Sequence, residues 1–479
     1  MSDQINSNLS ASEIKHVSRP EFIMYVVALF FYTMMTGMIG GYRNAYLVNV
    51  LRLEAEQTSL YNTLISVIPF VLNFFFAMYI DGRKIGKNGK FRPLVMLAAI
   101  PAGILLVLSF WTPKVFTGTI LMIYIVTIAI GWSIATSFCN SINLIANVMT
   151  PNLKERDSVI SIRSISSAVG NSAPLVVVLV LGLFIKNEGM QYIIGAALCS
   201  LVGVISMLLG MKLVKERVVY SAEKKNPLVG FLDILRNKYA WAIIISDFLK
   251  TFRNIATYMG VFMAAALLGS TSKFLLFGLP TGIGTAVGML IINFLLKKFN
   301  SKVLYIGSGI YSILANTIAF AIGYSYFKTG NSALQIVFIV SLFLIGLQFG
   351  ASNLLPTMFQ ADVLESIELQ TGKRLDASLP FVIGIGTLIS GTIANALAPI
   401  ILYGDNPLIS VIHYIQPTDA IPEPVQSTET KIAMLFFYTI FHGIMMFLAG
   451  VPYFFYKLTG ETKEDMHNAV LKQRESMNQ

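Results

Sequence analysis

Long apolar stretches alternate with short polar segments along the whole chain. Each stretch is about 20 residues or longer, which is the length that an α-helix needs to cross roughly 30 Å of hydrocarbon. The pattern therefore predicts an all-α membrane protein with about twelve transmembrane helices. We place the spans at approximately 22–50, 58–80, 93–112, 118–149, 158–186, 190–211, 240–268, 273–296, 303–326, 332–361, 377–403 and 431–456.

A charged segment near the middle of the chain separates the first six spans from the last six. It includes Lys224, Lys225, Asn226 and Pro227, which are unfavourable inside a membrane helix. Two sets of six helices are typical of proteins built from an internal pseudo-repeat. The predicted divisions are a cytoplasmic N-terminus at 1–21, a six-helix bundle at 22–211, a cytoplasmic linker at 212–239, a second six-helix bundle at 240–457 and a cytoplasmic tail at 458–479.

The composition supports a membrane protein and gives its orientation. Only 13% of the 479 residues are charged and 55% are hydrophobic, so there are too few charges to cover a soluble surface. The net charge of +10 could indicate nucleic-acid binding, but most Lys and Arg residues fall in the termini and in alternate loops. That distribution orients inner-membrane proteins. We expect a multi-pass protein of the cytoplasmic membrane, surrounded by the lipid bilayer, with both termini cytoplasmic and no nucleic-acid partner.

The spans contain no group of residues that indicates catalysis. Cys139 and Cys199 fall inside predicted helices, where a thiol acts as a small apolar group. His413 and His442 are isolated along the sequence. We therefore expect no metal, no cofactor and no enzymatic activity.

Glycines recur in the eighth and eleventh predicted spans. Small residues allow the backbones of two membrane helices to approach closely, so these positions predict tight helix contacts. The glycines are Gly282, Gly284, Gly288, Gly384, Gly386 and Gly391.

Three charged motifs follow the second, fourth and tenth spans. They are Asp81-Gly82-Arg83 with Gly89-Lys90-Phe91-Arg92-Pro93, then Leu153-Lys154-Glu155-Arg156-Asp157 with Arg163, and finally Ala361-Asp362-Val363 with Glu368 and Thr371-Gly372-Lys373-Arg374. In this order, and over nearly the whole chain, they resemble the glycoside/pentoside/hexuronide:cation symporter family, which includes melibiose and glucuronide carriers.

That resemblance implies the major facilitator fold, in which two pseudo-symmetric six-helix bundles rock about a site at the membrane midplane. It also implies a glycoside as substrate and a set of charges that form a cytoplasmic gate and hinge. The alternative is that charges at helix ends only fix the topology and tie loops together. The implied gating residues are Asp81, Arg92, Arg156, Arg163, Asp362 and Arg374.

The sequence departs from the family at the cation site. Sodium-coupled members carry two acids in the second span, another in the fourth and a lysine in the eleventh. Counted without gaps from the motifs, those positions fall on Pro69, Asn73, Cys139 and Leu388, none of which ionises. Because a hard cation needs oxygen ligands of this kind, sodium coupling is not expected.

Two arginines lie in the first and seventh spans, which are equivalent in the two halves. Each has an aromatic residue before it and an asparagine after it, as in Tyr42-Arg43-Asn44 and Phe252-Arg253-Asn254. A membrane-embedded arginine is costly unless it meets water or an anion. A pair facing a cavity would suit a carboxylate, sulfonate or phosphate. Alternatively, Arg43 extends to the outer surface and Arg253 pairs with a neighbour.

Further polar residues in the spans are candidates for coupling and sugar binding. Asp247, Lys250 and Arg253 are spaced by three and would share one helix face. Asp247 is a candidate proton carrier, although neutralising Lys250 would explain it equally well. The candidate sugar ligands Asn73, Asn140 and Asn143 would also suit helix-to-helix hydrogen bonds.

The sequence therefore predicts a secondary transporter of a glycoside or sugar derivative, with an anionic, hexuronide-like solute favoured. It would work by alternating access as a monomer, with a proton as the candidate coupling ion and substrate contacts from Tyr42, Arg43, Asn44 and Arg253. The alternatives are a carrier of lysolipids or other amphiphiles, and a membrane sensor or partner protein that keeps the fold without transport.

Overall fold

The computed structural model describes residues 16–82, 89–146, 148–150, 152–217, 230–371, 378–405, 409–418, 421, 424–460, 462–466 and 468–470, without the side chains at 73, 74, 77–82, 153, 154, 156, 157, 161 and 164. Twelve long helical segments run through this part of the chain. They are α1 (Arg19–Val50), α2 (Ala55–Gly82), α3 (Arg92–Ser109), α4 (Gly118–Ile145), α5 (Leu153–Phe184), α6 (Glu188–Leu213), α7 (Lys238–Leu268), α8 (Thr271–Leu295), α9 (Ser301–Thr329), α10 (Ser332–Thr371), α11 (Ser378–Tyr403) and α12 (Thr428–Phe455).

The prediction of an all-helical membrane protein is confirmed. Among the described residues, eleven helices are long and apolar enough to cross a membrane, and α2 is a further helix of 28 residues. Side-chain caps fix where several helices begin, because an oxygen from the residue before the helix accepts a backbone N–H of the first turn. These caps are Ser18 on α1, Asn152 on α5, Asn187 on α6, Asn300 on α9 and Ser427 on α12.

Two motif segments predicted as loops are helical. The residues from Leu153 to Asp157 form the first turns of α5, and α10 continues to Thr371 instead of ending near residue 361. Asp362 therefore lies inside a helix. The segment after Pro356 contains no glycine or proline until Gly372, and Leu, Glu and Gln favour helix, so nothing stops α10 at the predicted membrane boundary.

The chain clusters into two compact units. Unit 1 comprises Met1–Leu53 and Leu64–Lys224, and unit 2 comprises Glu54–Thr63 and Lys225–Gln479. The start of α2 thus packs with unit 2, where Asn62 Nδ2 donates to the Asn395 carbonyl at 3.1 Å. The division falls within the predicted linker, of which residues 218–229 lie outside the described part of the chain.

Close helix contacts in each unit depend on glycine. In unit 1, a Cβ at Gly37 on α1 would lie 2.1 Å from the Asn171 carbonyl oxygen on α5. In unit 2, a Cβ at Gly284 or Gly288 on α8 would lie 2.3 or 2.2 Å from a carbonyl oxygen of α10. The predicted contacts of Gly284 and Gly288 are therefore confirmed. A Cβ added at Gly282, in contrast, would have no neighbouring atom within 4 Å.

Candidate functional site

In unit 1, the basic turn between α2 and α3 is hydrogen-bonded to the residues that follow α6. The Glu216 carboxylate accepts the backbone N–H groups of Lys90, Phe91 and Arg92 at 2.7 to 2.9 Å. A carboxylate at a helix N-terminus is favourable because it meets unpaired N–H groups and the positive end of the helix dipole. Arg92 Nε in turn donates to the Met211 carbonyl at 2.8 Å. Arg92 thus joins α3 to α6 within its own unit.

Glu21 and Glu155 hold other chain segments at the same end of unit 1. The Arg217 guanidinium donates both Nη1 and Nη2 to Glu21, at 2.8 and 2.7 Å. Glu155 accepts the N–H groups of His16 and Val17. Burial opposes ionisation of Glu155, but these bonds and one from Thr150 outweigh it and place its pKa below the usual value.

Two more of the predicted gating residues have partners inside their own units. Arg163 Nη1 on α5 donates to the Asn143 carbonyl at 2.8 Å, where α4 ends. In unit 2, Asp362 on α10 forms an ion pair with Lys463 of the C-terminal tail at 2.7 Å. The side chains of Asp81 and Arg156, and the whole of Arg374, lie outside the described residues. A gating role for this set stays a prediction.

Arg43 lies in the last α-helical turn of α1 and is buried within unit 1. Its side chain is 4% exposed, and its Cζ lies 5.6 Å from the centroid of the Tyr46 ring. The neighbouring Tyr42 ring is 5.3 Å from that of Tyr192 on α6. Asn44 is half-buried beside them. The sequence prediction of substrate contact for Tyr42, Arg43 and Asn44 stays a prediction.

In unit 2, α7 is interrupted at Arg253. One helical stretch ends at Thr251 and the next begins at Asn254, with Phe252 and Arg253 forming a turn between them. Arg253 is half-buried, and its Cζ lies 4.9 Å from the centroid of Phe349 on α10. The carbonyls of Phe252 and Arg253 accept the N–H groups of Ile255 and Thr257, so the interruption is a local tightening of the helix.

Asp247 and Lys250 form an ion pair on the first stretch of α7. Within the described part of the chain, the Asp247 carboxylate has this pair with Lys250 and none with Arg253. Phe252 and Arg253 keep right-handed helical dihedral angles, so the chain continues helically from Lys250 through this turn. That all three residues share one helix face stays a prediction.

The asparagines predicted to bind sugar lie near the end of α4, or outside the described side chains. Asn143 Nδ2 donates to Asn140 Oδ1 at 2.6 Å, in the turn that interrupts α4 after Cys139. These two residues are thus hydrogen-bonded to each other within unit 1. The side chain of Asn73 on α2 lies outside the described residues.

A group that sequence reasoning missed lies beside Arg253. His442 on α12 is 5% exposed, and its ring makes a T-shaped contact with the Phe349 ring, with centroids 5.2 Å apart and planes at 89°. Phe349 thus contacts both the guanidinium and the imidazole. No sequence signal joins these residues, because they belong to three helices that are far apart along the chain.

Comparison with known proteins places the chain in a family. A model of the family described as MFS/sugar transport protein matches residues 24–460. The "Uncharacterized symporter YjmB" of Bacillus subtilis is 26% identical over 408 residues, which are 81% of this chain and 82% of that protein.

Two other relatives have names that include a solute. The "Putative 2,3-dihydroxypropane-1-sulfonate exporter" of Escherichia coli is 26% identical over 65% of this chain and 69% of its own length. The "Putative sulfoquinovose importer" of Salmonella typhimurium is 24% identical over 83% of this chain and 80% of its own length.

Solved structures share the fold at low sequence identity. A D-xylose-proton symporter matches with a TM-score of 0.60 and 17% identity, covering 92% of this chain and 98% of that one. A similarity of this kind establishes the architecture and leaves the substrate to be decided from the site. The chain thus belongs to the MFS/sugar transport protein family, with the major facilitator fold, and it is a secondary transporter and not an enzyme.

Proposed function

We propose that this protein moves a polyhydroxylated organic anion, a sugar derivative with a carboxylate or sulfonate group, across the cytoplasmic membrane by alternating access. The observation that carries the proposal is the environment of the Arg253 guanidinium on α7. No carboxylate of the described residues forms an ion pair with it, and its guanidinium lies over the Phe349 ring. A hexuronide-like solute is one member of this class.

The chemistry of arginine supports an anion as the partner of this site. A cation within a membrane span is expensive unless water or a negative charge compensates it. Stacking on an aromatic face satisfies the plane of the guanidinium and leaves its N–H edge for two parallel hydrogen bonds. Carboxylate and sulfonate groups present two oxygens at the right spacing for that edge.

The relatives support the same class of solute. Sulfoquinovose and 2,3-dihydroxypropane-1-sulfonate, which appear in the names of two relatives, both combine hydroxyl groups with a sulfonate. The word symporter in the name of YjmB supports coupling to a cation. Sodium is disfavoured because Pro69, Cys139 and Leu388 occupy positions where the sodium-coupled carriers have ionisable groups.

Arg43 is a weaker candidate for substrate contact than Arg253. It is buried inside unit 1 against Tyr46, which supports a structural role at the outer end of α1. Arg253 therefore carries the anion proposal alone, and a role for the pair is a separate question for mutagenesis.

Counterflow in proteoliposomes tests the proposal. Liposomes containing the purified full-length protein are loaded with methyl β-D-glucuronide, sulfoquinovose or neutral methyl β-D-glucoside, and entry of the labelled compound is followed. We expect exchange of at least one anion and little exchange of the glucoside. Exchange of the neutral glucoside alone would refute the anion proposal.

An amphiphile carrier is the second candidate, because unit 1 contains an apolar recess of 290 Å³ between α1 and α5. Its walls are the side chains of Val26, Val27, Phe30, Phe31, Ile162, Ile165 and Ser166. Such a recess suits an acyl chain, but the bilayer itself supplies acyl chains to this surface. Lysophosphatidylcholine transfer by the same liposomes, in the absence of sugar exchange, would favour this second candidate.

A further inference from the structure

Three buried polar atoms on three helices of unit 2 have no hydrogen-bond partner among the described residues. They are His442 Nε2 on α12, Asn316 Oδ1 on α9 and Gln348 Oε1 on α10. Buried polar groups are normally paired, so unpaired ones in a native protein call for an explanation. We refer to His442, Asn316 and Gln348 as the His442 cluster.

The helices that carry the His442 cluster pack against one another. A Cβ on Gly443, the residue after His442, would lie 3.0 Å from Asn316 Cβ, so α12 and α9 meet there. Gln348 directly precedes Phe349, whose ring makes a T-shaped contact with the imidazole, so α10 and α12 also meet. His442 itself begins an α-helical stretch that follows a π-helical turn at Phe437–Phe441. Such turns are frequent at functional sites.

Arg253 on α7 is the charged group beside His442, since both contact the Phe349 ring of α10. Earlier on α7, Asp247 and Lys250 neutralise each other as an ion pair. The titratable groups on the other helices are tyrosines: Tyr305 on α9, which bonds to Ser246 and packs on Tyr453, and Tyr438 and Tyr453 on α12. The unneutralised charge near the imidazole is therefore the positive charge of Arg253.

We propose that His442 is the proton-binding group of this transporter and that it takes up its proton when an anion occupies Arg253. Without the anion, a proton on His442 would place a second positive charge beside Arg253 in a site that is poorly hydrated. An anion on Arg253 removes that repulsion, so His442 Nε2 accepts a proton from water. The two leave together when the site opens on the other side of the membrane.

This inference rests on the proposed anion site, and it replaces Asp247 with His442 as the group that carries the proton. Asp247 is unsuitable because its carboxylate is engaged by Lys250 on the same helix. Since coupling between two bound species is reciprocal, protonation of His442 also strengthens anion binding. The expected stoichiometry is about one proton for each anion.

Proton movement during transport tests the inference. Proteoliposomes that contain the full-length protein and the pH indicator pyranine receive external methyl β-D-glucuronide or sulfoquinovose. For the wild type we expect the lumen to become more acidic as the anion enters. The His442→Asn variant should acidify the lumen at least about tenfold less for each anion that enters, because asparagine does not titrate, and its counterflow measures the anion entry for that ratio. His413→Asn, in the exposed loop before α12, is the matched control and should behave as the wild type.

Three results would overturn the inference. The first is acidification by His442→Asn that equals that of the wild type. The second is wild-type anion counterflow with no proton movement at all. The third is loss of acidification in Asp247→Asn while His442→Asn keeps it. If instead the wild type exchanges no anion, the proposed function itself has failed, and counterflow reports that separately.

A measurement on the unmodified protein covers the case in which no His442 variant folds. Calorimetric titration of the wild type with the same anion, in two buffers of different ionisation enthalpy, gives the protons taken up on binding. Uptake of about one proton that persists in Asp247→Asn supports the inference. Binding without proton uptake refutes it.

Discussion

The role of a charged residue in this protein depends on its neighbours in space. Asp247, Lys250 and Arg253 have the spacing of one helix face, yet among the described residues Asp247 forms its ion pair with Lys250 and not with Arg253. Arg92 and Arg163, two of the motif arginines, donate to backbone carbonyls at the ends of α6 and α4. Their side chains thus hold helices together within unit 1, whether or not they also act in gating.

At the residue scale we predict that Arg253→Lys weakens binding of the anionic solute by about tenfold and that Arg253→Gln weakens it by about a hundredfold. Lysine keeps the charge but loses the guanidinium contact with Phe349 and the paired N–H edge, and glutamine loses the charge as well. The two factors correspond to about 1.4 and about 2.7 kcal/mol. Competition of labelled methyl β-D-glucuronide counterflow gives the affinities. Lys186→Ala, an exposed cation elsewhere in the chain, is the control. Unchanged anion affinity in Arg253→Gln would contradict the prediction.

At the scale of elements, two features position Arg253 and Phe349: the close contact between α8 and α10, and the turn within α7. Glycine lets α8 and α10 meet with their backbones in contact, since a Cβ at Gly346 would lie 2.2 Å from the Thr281 carbonyl oxygen. In contrast, α7 tightens into a hydrogen-bonded turn at Phe252 and Arg253, which carries the guanidinium. The tight pair supports α10, and α10 carries the Phe349 ring on which Arg253 stacks.

We predict that Gly288→Ala destabilises the protein by about 1 to 3 kcal/mol, the usual cost of overpacking a close contact. The added Cβ would lie 2.2 Å from the Leu347 carbonyl oxygen, and backbone on both sides has little room to move. Gly282→Ala on the same helix has nothing within 4 Å and serves as the control. Thermal unfolding in detergent, followed by size-exclusion chromatography, measures both. Equal midpoints for the two variants would contradict the expected contact.

At the scale of the whole molecule, the chain is a multi-pass membrane transporter whose family model spans residues 24–460. Its Lys and Arg residues are concentrated on one set of loops, which is the signal that sets orientation during membrane insertion. Some of these basic residues also link chain segments within unit 1, as Arg217 does in its ion pair with Glu21. Basic residues thus contribute to local structure at that end of unit 1, and their role in orientation is tested by the labelling described next.

We predict that Lys114 and Lys328 face the outside and that Lys215 and Lys457 face the cytoplasm. All four side chains are exposed, so each can be replaced by cysteine and tested with a membrane-impermeant maleimide on intact cells. The first two variants should react at once, and the last two only after the membrane is opened. The native Cys139 and Cys199 are buried and give a low background. Labelling of the Lys215 variant on intact cells would reverse the predicted orientation.

The sequence alone determined the fold class, because helix length and burial in lipid are properties of local composition. The end of α10 was missed because its charged residues are equally good helix formers. The tertiary structure decided which polar groups meet. Arg253, Phe349 and His442 come from α7, α10 and α12, and their contact depends on how these helices pack. A pattern in the sequence gives no information about the distance between residues on different helices.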